Sequence, residues 1–234
     1  MSYGHEIIAT EAELLDQRRT VYRVKLKPDS YRHIIPETAT SVIVKQQKDG
    51  WEEEFEDEET AYNKLKVLQG KVIPYFYGRG DFDGLPALIL SDIDGIPLDD
   101  LALSNYDISE SSLKAYLEEV LSQFLKHGAL YRDQKLNNFL FCDSTDCGSG
   151  KVMAVDLEQV EFPDRFRPWH YSVSQQGARS LMEDFRYKRS PGRESSPLEL
   201  CMSGHDESGP LAELDDFSLV IYPGSIGKPV STQP

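Results

Sequence analysis

The apolar positions of this chain follow two different periods. Up to about residue 91 they alternate, or run in short β-branched stretches, which is the signature of strands. Residues 20–26 (TVYRVKL) and 41–45 (SVIVK) read as strands, as do residues 72–78 (VIPYFYG) and 85–91 (LPALILS), and residues 6–10 complete a set of five. The last two are separated by the turn-rich Arg79-Gly80-Asp81-Phe82-Asp83-Gly84. A helix is predicted over residues 51–69. Seven of the ten residues from Trp51 to Thr60 are acidic, and carboxylates there favour a helix N-terminus.

Beyond residue 91 the period becomes helical. A short helix is predicted over residues 97–103 and a long one over 107–126. Leu113, Tyr116, Leu117, Val120, Leu121, Phe124 and Leu125 form one apolar stripe at helical spacing, the mark of a core-facing side. Asp107 and Glu110 have capping-box spacing, and Gly128 is a natural stop. Two short strands, residues 138–142 and 151–155, flank a polar loop over 143–150. One more helix is predicted over 171–187, with Ala178, Leu181, Met182 and Phe185 inward. From residue 189 to 234, Ser, Gly and Pro supply 19 of 46 residues, so this tail is expected to be largely disordered. Residues 217–222 (FSLVIY) are an apolar island within it, docked or idle.

Composition narrows the function. At 234 residues with 39% hydrophobic content, the chain has enough apolar material for a core. A net charge of −15 argues against nucleic-acid and anionic-membrane binding. No apolar run approaches the length of a membrane span, and residues 1–12 lack a signal-peptide pattern. Cys142, Cys147 and Cys201 match neither a disulfide framework nor a metal-ligand set. A cytoplasmic or nuclear setting is therefore expected. In such a setting the Arg79-Gly80-Asp81 triplet has no call to act as an integrin ligand.

The chemistry concentrates in residues 127–158. Tyr131-Arg132-Asp133-Gln134-Lys135-Leu136-Asn137-Asn138 lies between the long helix and the first short strand, and Asp156-Leu157-Glu158 follows the second. Pairing of those strands would bring Asp133, Asn138 and Asp156 to one mouth. Carboxylate and amide oxygens there suit Mg²⁺ and a polyphosphate.

The first segment resembles the protein-kinase catalytic loop H-R-D-x-K-x-x-N, with Tyr131 in the His place. Asp156-Leu157-Glu158 resembles D-F-G with its last two positions changed. The resemblance runs from about residue 21 to residue 162 and is strongest toward small fungal kinase-like proteins. It implies an α+β, two-lobed kinase-like fold. A small antiparallel-sheet lobe with one helix would occupy 1–92, an abbreviated helical lobe 93–188, and the tail 189–234.

The resemblance also implies ATP and Mg²⁺ and assigns roles. Lys45 ends a strand as the lysine of V-A-I-K does, and would contact the α and β phosphates. Glu58, on one helix face with Tyr62 and Leu65, would fix Lys45; Glu59 and Glu54 are alternatives. Backbone groups of Ser91 and Ile93 would bond an adenine edge. Asn138 and Asp156 would hold the metal, Asp133 would take the acceptor proton, and Lys135 would neutralise the moving phosphoryl group. Three features depart from the pattern. Leu14-Leu15-Asp16-Gln17 stands where a glycine-rich phosphate loop is expected, and Glu158 replaces a glycine. An A-P-E element is missing from the 78 residues after Asp156. The expected activity is transfer to a hydroxyl of a small molecule or a protein. The alternative is an inactive pseudokinase that binds nucleotide or a protein partner.

Overall fold

A computed structural model of the chain describes residues 5–16, 20–28, 34–143, 150–190 and 217–222. The described elements, in chain order, are β1 (His5–Leu14), β2 (Val21–Leu26), β3 (Ser41–Gln46), α1 (Glu52–Lys64), β4 (Phe76–Phe82), β5 (Leu85–Ser91), β6 (Ile96–Pro97), α2 (Leu98–Leu103), α3 (Glu110–Lys126), β7 (Leu130–Tyr131), β8 (Phe139–Cys142), β9 (Lys151–Ala154), β10 (Val160–Glu161), α4 (Pro168–Arg189) and β11 (Phe217–Ile221). They fall into two compact units. One holds β1 to β5 with β11. The other holds Glu53–Tyr75 and everything described from Ile93 through α4. No helix among the described residues is long and apolar enough to cross a membrane.

The first unit is an antiparallel barrel with strand order β1-β11-β4-β5-β3-β2. Alternation decides which side chains enter it: Val24 and Leu26 from β2, Val42 and Val44 from β3, Ala87 and Ile89 from β5. Asp92 follows β5 and accepts bonds from Arg23 Nε and Ser41 Oγ, both at 2.8 Å.

Two expectations for this unit need correction. The strand expected at 72–78 runs instead from Phe76 to Phe82. Pro74 cannot donate to a ladder, and Asp83-Gly84 forms a two-residue hairpin turn. Both of its residues have positive φ, 52° and 75°, as a type I′ turn requires. Val72 and Ile73 pack in the second unit, where the Val72 carbonyl accepts the Ala154 N–H at 2.8 Å. The second correction concerns the tail. Phe217–Ile221 is strand β11, hydrogen-bonded to β1 on one side and β4 on the other. Leu219 and Ile221 are fully buried in the barrel core. A compositional reading averages over a 46-residue window and dilutes this apolar stretch. The rest of the tail (191–216 and 223–234), Gln17, the centre of the polar loop (144–149), Cys147 and Cys201 lie outside the described residues.

In the second unit α3 buries Leu113, Leu117, Val120, Leu121 and Phe124. Gly128 ends it at φ 77°. Its N–H bonds the Leu125 carbonyl and the Ala129 N–H bonds that of Phe124, the paired bonds of a Schellman stop. The capping box expected at Asp107 does not form. Ile108 is buried ahead of the first turn, and Ser109 holds the N-cap position without a side-chain bond to the helix N–H groups, its hydroxyl pairing with that of Ser111 at 2.7 Å. Helix α4 packs along α3 and α2, with Arg186 bonded to Glu110 at 2.7 Å and Lys188 to Asp99. Strands β8 and β9 pair Phe139 with Ala154. Strand β7 pairs Tyr131 with Val160 of β10.

Phe124 lies under the loop that follows β7, its ring 5.3 Å from that of Tyr131. Phe124→Ala should cost about 3–5 kcal/mol by the usual scale for a buried aromatic. Denaturant unfolding of the full chain checks this, and the midpoint should fall without a large change in slope.

Candidate functional site

The loop after β7 is held by its own polar groups. Asn138 is buried, and its side-chain Nδ2 donates to the Asp133 carbonyl at 3.0 Å and to Asp133 Oδ2 at 2.8 Å. Lys135 Nζ pairs with the other oxygen, Oδ1, at 2.8 Å. The Asp133 side chain is only 16% exposed, whereas that of Lys135 is 65% exposed. The aspartate is thus held on both oxygens, while the lysine that holds one of them stands mostly in solvent. Three residues expected to work together are brought together here.

The same loop is tied to the segment after β9. Asn138's carbonyl accepts the Val155 N–H at 2.9 Å. Tyr131 stands in the His place, and its hydroxyl donates to the Val155 carbonyl at 2.8 Å, with a longer contact to that of Asp156 at 3.3 Å. Asp156 has φ 62°. Non-glycine residues rarely adopt that conformation, aspartate among the more tolerant, and it costs of order 1 kcal/mol. Strained backbone of this kind collects at functional sites.

Glu58 enters from α1 fully buried, and its Oε1 accepts the Leu157 N–H at 3.0 Å. Leu157 is itself fully buried, which anchors the middle of Asp156-Leu157-Glu158. The carboxylate oxygens of Glu58, Asp156 and Glu158 lie within 4.8 Å of one another. Glu158 is therefore a functional candidate that the sequence reading treated only as a lost glycine. The signal was its place two residues after Asp156. It carried no weight without knowing that Asp156 turns through positive φ. All three side chains offer hard oxygen donors, the class that Mg²⁺ prefers, so the residues present fit that ion.

Lys45, Ser91 and Ile93 complete the expected set. Lys45 is buried on β3 at 7% exposure, paired in register with Val21 and Leu88. Ser91 is buried at the end of β5 opposite Val42. Ile93 is half-buried at the start of the second unit. Asp16, where a phosphate loop was expected, is used locally: its Oδ1 accepts the N–H groups of Thr20 and Val21, both at 2.8 Å.

No protein-family model matches the chain, and no curated protein matches it. Solved structures do. A crystal structure of the Mycobacterium tuberculosis PknI kinase domain aligns with a TM-score of 0.53, covering 78% of this chain and 75% of that one, at 14% identity. The fold is kinase-like. At that identity the likeness concerns the fold alone.

Two buried phenols border the carboxylates. Burial raises the Tyr62 pKa well above the ordinary tyrosine value, and the charges of Glu58 and Asp156 add to the rise. Burial does the same for Tyr131, with Asp156 and then Asp133 adding. Both phenols stay protonated in the native state at pH values where unfolded tyrosine ionises, near 10. Their contribution is complete below about pH 10 and is lost as pH rises further, because only the unfolded chain releases the proton. Tyr62→Phe should make the alkaline fall in stability shallower by up to about 1.4 kcal/mol per pH unit. Urea midpoints measured between pH 9 and 11.5 check the sign and slope.

Proposed function

We propose that the protein is a Mg·ATP-dependent phosphotransferase of the kinase type, acting on a hydroxyl of a small molecule or a protein. The observation that carries this reading is the Asp133 carboxylate, clamped by Asn138 and Lys135 on a loop bonded to Val155, the residue before Asp156. Phosphoryl transfer needs little covalent chemistry from a protein and much positioning. A carboxylate held on both oxygens, yet partly accessible, is suited to orient an acceptor hydroxyl and take its proton. Lys135, mostly exposed, can follow the charge of the moving group. ATP supplies the phosphoryl group, and Mg²⁺ on Asp156 and Asn138 would neutralise its oxygens. Glu158 and Glu58 are placed to add oxygen ligands or to hold the segment. Lys45 would meet the α and β phosphates, and backbone groups of Ser91 and Ile93 the adenine edge.

A second reading is favoured by Asp16. Its carboxylate occupies the N–H groups of Thr20 and Val21, and no glycine stands in residues 5–45 to let a phosphate approach the backbone closely. That arrangement suits a catalytically inactive pseudokinase that acts as a nucleotide-binding or interaction module.

The two readings separate on two aspartates. Under the first, Mg·ATP raises the melting temperature by linkage, and Lys45→Ala reduces the shift. Asp133→Asn keeps that shift but loses transfer by roughly 10²–10⁴-fold, the scale of a positioned base. Asp156→Asn weakens the metal-dependent shift as well. Thermal shift alongside ATP turnover reads both. A wild type that binds Mg·ATP without turnover, indistinguishable from Asp133→Asn, selects the pseudokinase.

A further inference from the structure

The slot between β1 and β4 is filled by a strand from far along the chain. Twenty-six residues, 191–216, separate β11 from the end of the described part that contains α4. Against β1 the strand pairs five residues, His5↔Ile221 through Ala9↔Phe217. Against β4 it pairs three, Leu219↔Phe82 to Ile221↔Gly80.

The receiving edge of β4 is Arg79-Gly80-Asp81, and each residue has a distinct part. The Arg79 carbonyl accepts the Tyr222 N–H at 2.9 Å. Gly80 leaves room that no side chain could share, since a Cβ there would lie 2.0 Å from the Val220 carbonyl oxygen. Asp81 accepts the Tyr222 hydroxyl. Below the strand, Leu219 and Ile221 fill the barrel core, while Val220 between them is half-exposed. The slot thus recognises an aliphatic, any residue, an aliphatic, then tyrosine.

Backbone pairing on an edge combined with pockets for alternate side chains is how sheets take extended peptides. We propose that the β1–β4 slot is a strand-binding site, that residues 217–222 are its ligand held in cis, and that an extended peptide of the same pattern displaces them. Held in the same chain, the segment meets the slot intramolecularly, so a free peptide has to compete with an effective rather than a bulk concentration. A free peptide therefore binds the wild-type chain weakly and binds tightly once the resident strand is disabled.

The test uses the full chain and a fluorescein-labelled peptide of residues 216–224. Leu219→Asp with Ile221→Asp disables the resident strand. Anisotropy should show the peptide binding this variant at least tenfold more tightly than wild type, and binding should raise the variant's melting temperature. A control peptide carrying the same two aspartates should not bind, and adding Gly80→Val to the variant should abolish binding. If the variant does not fold alone, refolding in the presence of the labelled peptide replaces the titration, and recovery of a folded complex supports the proposal. Equal affinity for variant and wild type would overturn it. So would the absence of binding to either, or a variant that fails to fold even with the peptide present, because β11 would then be an inseparable part of the barrel.

Discussion

The second unit depends on how Asn138 is bonded. Its side chain holds Asp133, and its backbone carbonyl takes the Val155 N–H. One buried residue thereby fixes two segments whose aspartates are 23 positions apart in sequence. Tyr131 adds a second tie through its hydroxyl to the Val155 carbonyl. Removing one partner from a buried polar set leaves others unsatisfied, at about 1–3 kcal/mol each. The loop is therefore rigid because its polar groups are committed to one another. Its base is rigid for the ordinary reason, since Tyr131 packs between Phe124 and Phe139 at 5.3 and 5.5 Å.

Much of the fold could be read from period alone. The Val21–Leu26 strand alternates, the Ser41–Gln46 strand is a β-branched apolar run, and the α3 stripe is long enough that no other reading competes. Boundaries were less legible where local chemistry overrode the pattern. Residues 72–78 looked like a strand because they are apolar and aromatic, yet Pro74 interrupts the ladder and Asp83-Gly84 moves the hairpin. The β11 segment was visible as an apolar island, but its partners β1 and β4 are more than a hundred residues away in sequence. No local rule specifies pairing at that distance. Gly80 carried the missing information as a position where backbone must approach backbone, disguised inside an Arg-Gly-Asp triplet.

The candidate site was legible in proportion to how local it is. Asp133, Lys135 and Asn138 lie within six residues, so their spacing alone suggested a common task. Glu58 was one of seven acids in a ten-residue run. Only its position on the inner face of α1, beside Tyr62, distinguished it from solvated neighbours. Glu158 was harder. Its meaning depends on the positive φ of Asp156, which sequence does not announce for a residue other than glycine. The resulting carboxylates, buried at Glu58 and half-exposed at Asp156 and Glu158, bring their oxygens within 4.8 Å of one another, an arrangement of hard donors that suits one divalent cation.

The proposed cation site joins this carboxylate set to the Asn138 loop and leaves the other acids of α1 as a solvated face. Paramagnetic broadening by Mn²⁺ in the isotopically labelled full chain tests it residue by residue. Saturable broadening is expected, centred on the amides of Asp156 to Glu158 and on the Asn138 side-chain amide. Excess Mg²⁺ should reverse it and Asp156→Asn should abolish it. Broadening spread over residues 52–57 without saturation, with the 156–158 amides unaffected, would place the cation on the solvated face of α1 and rule out the proposed site.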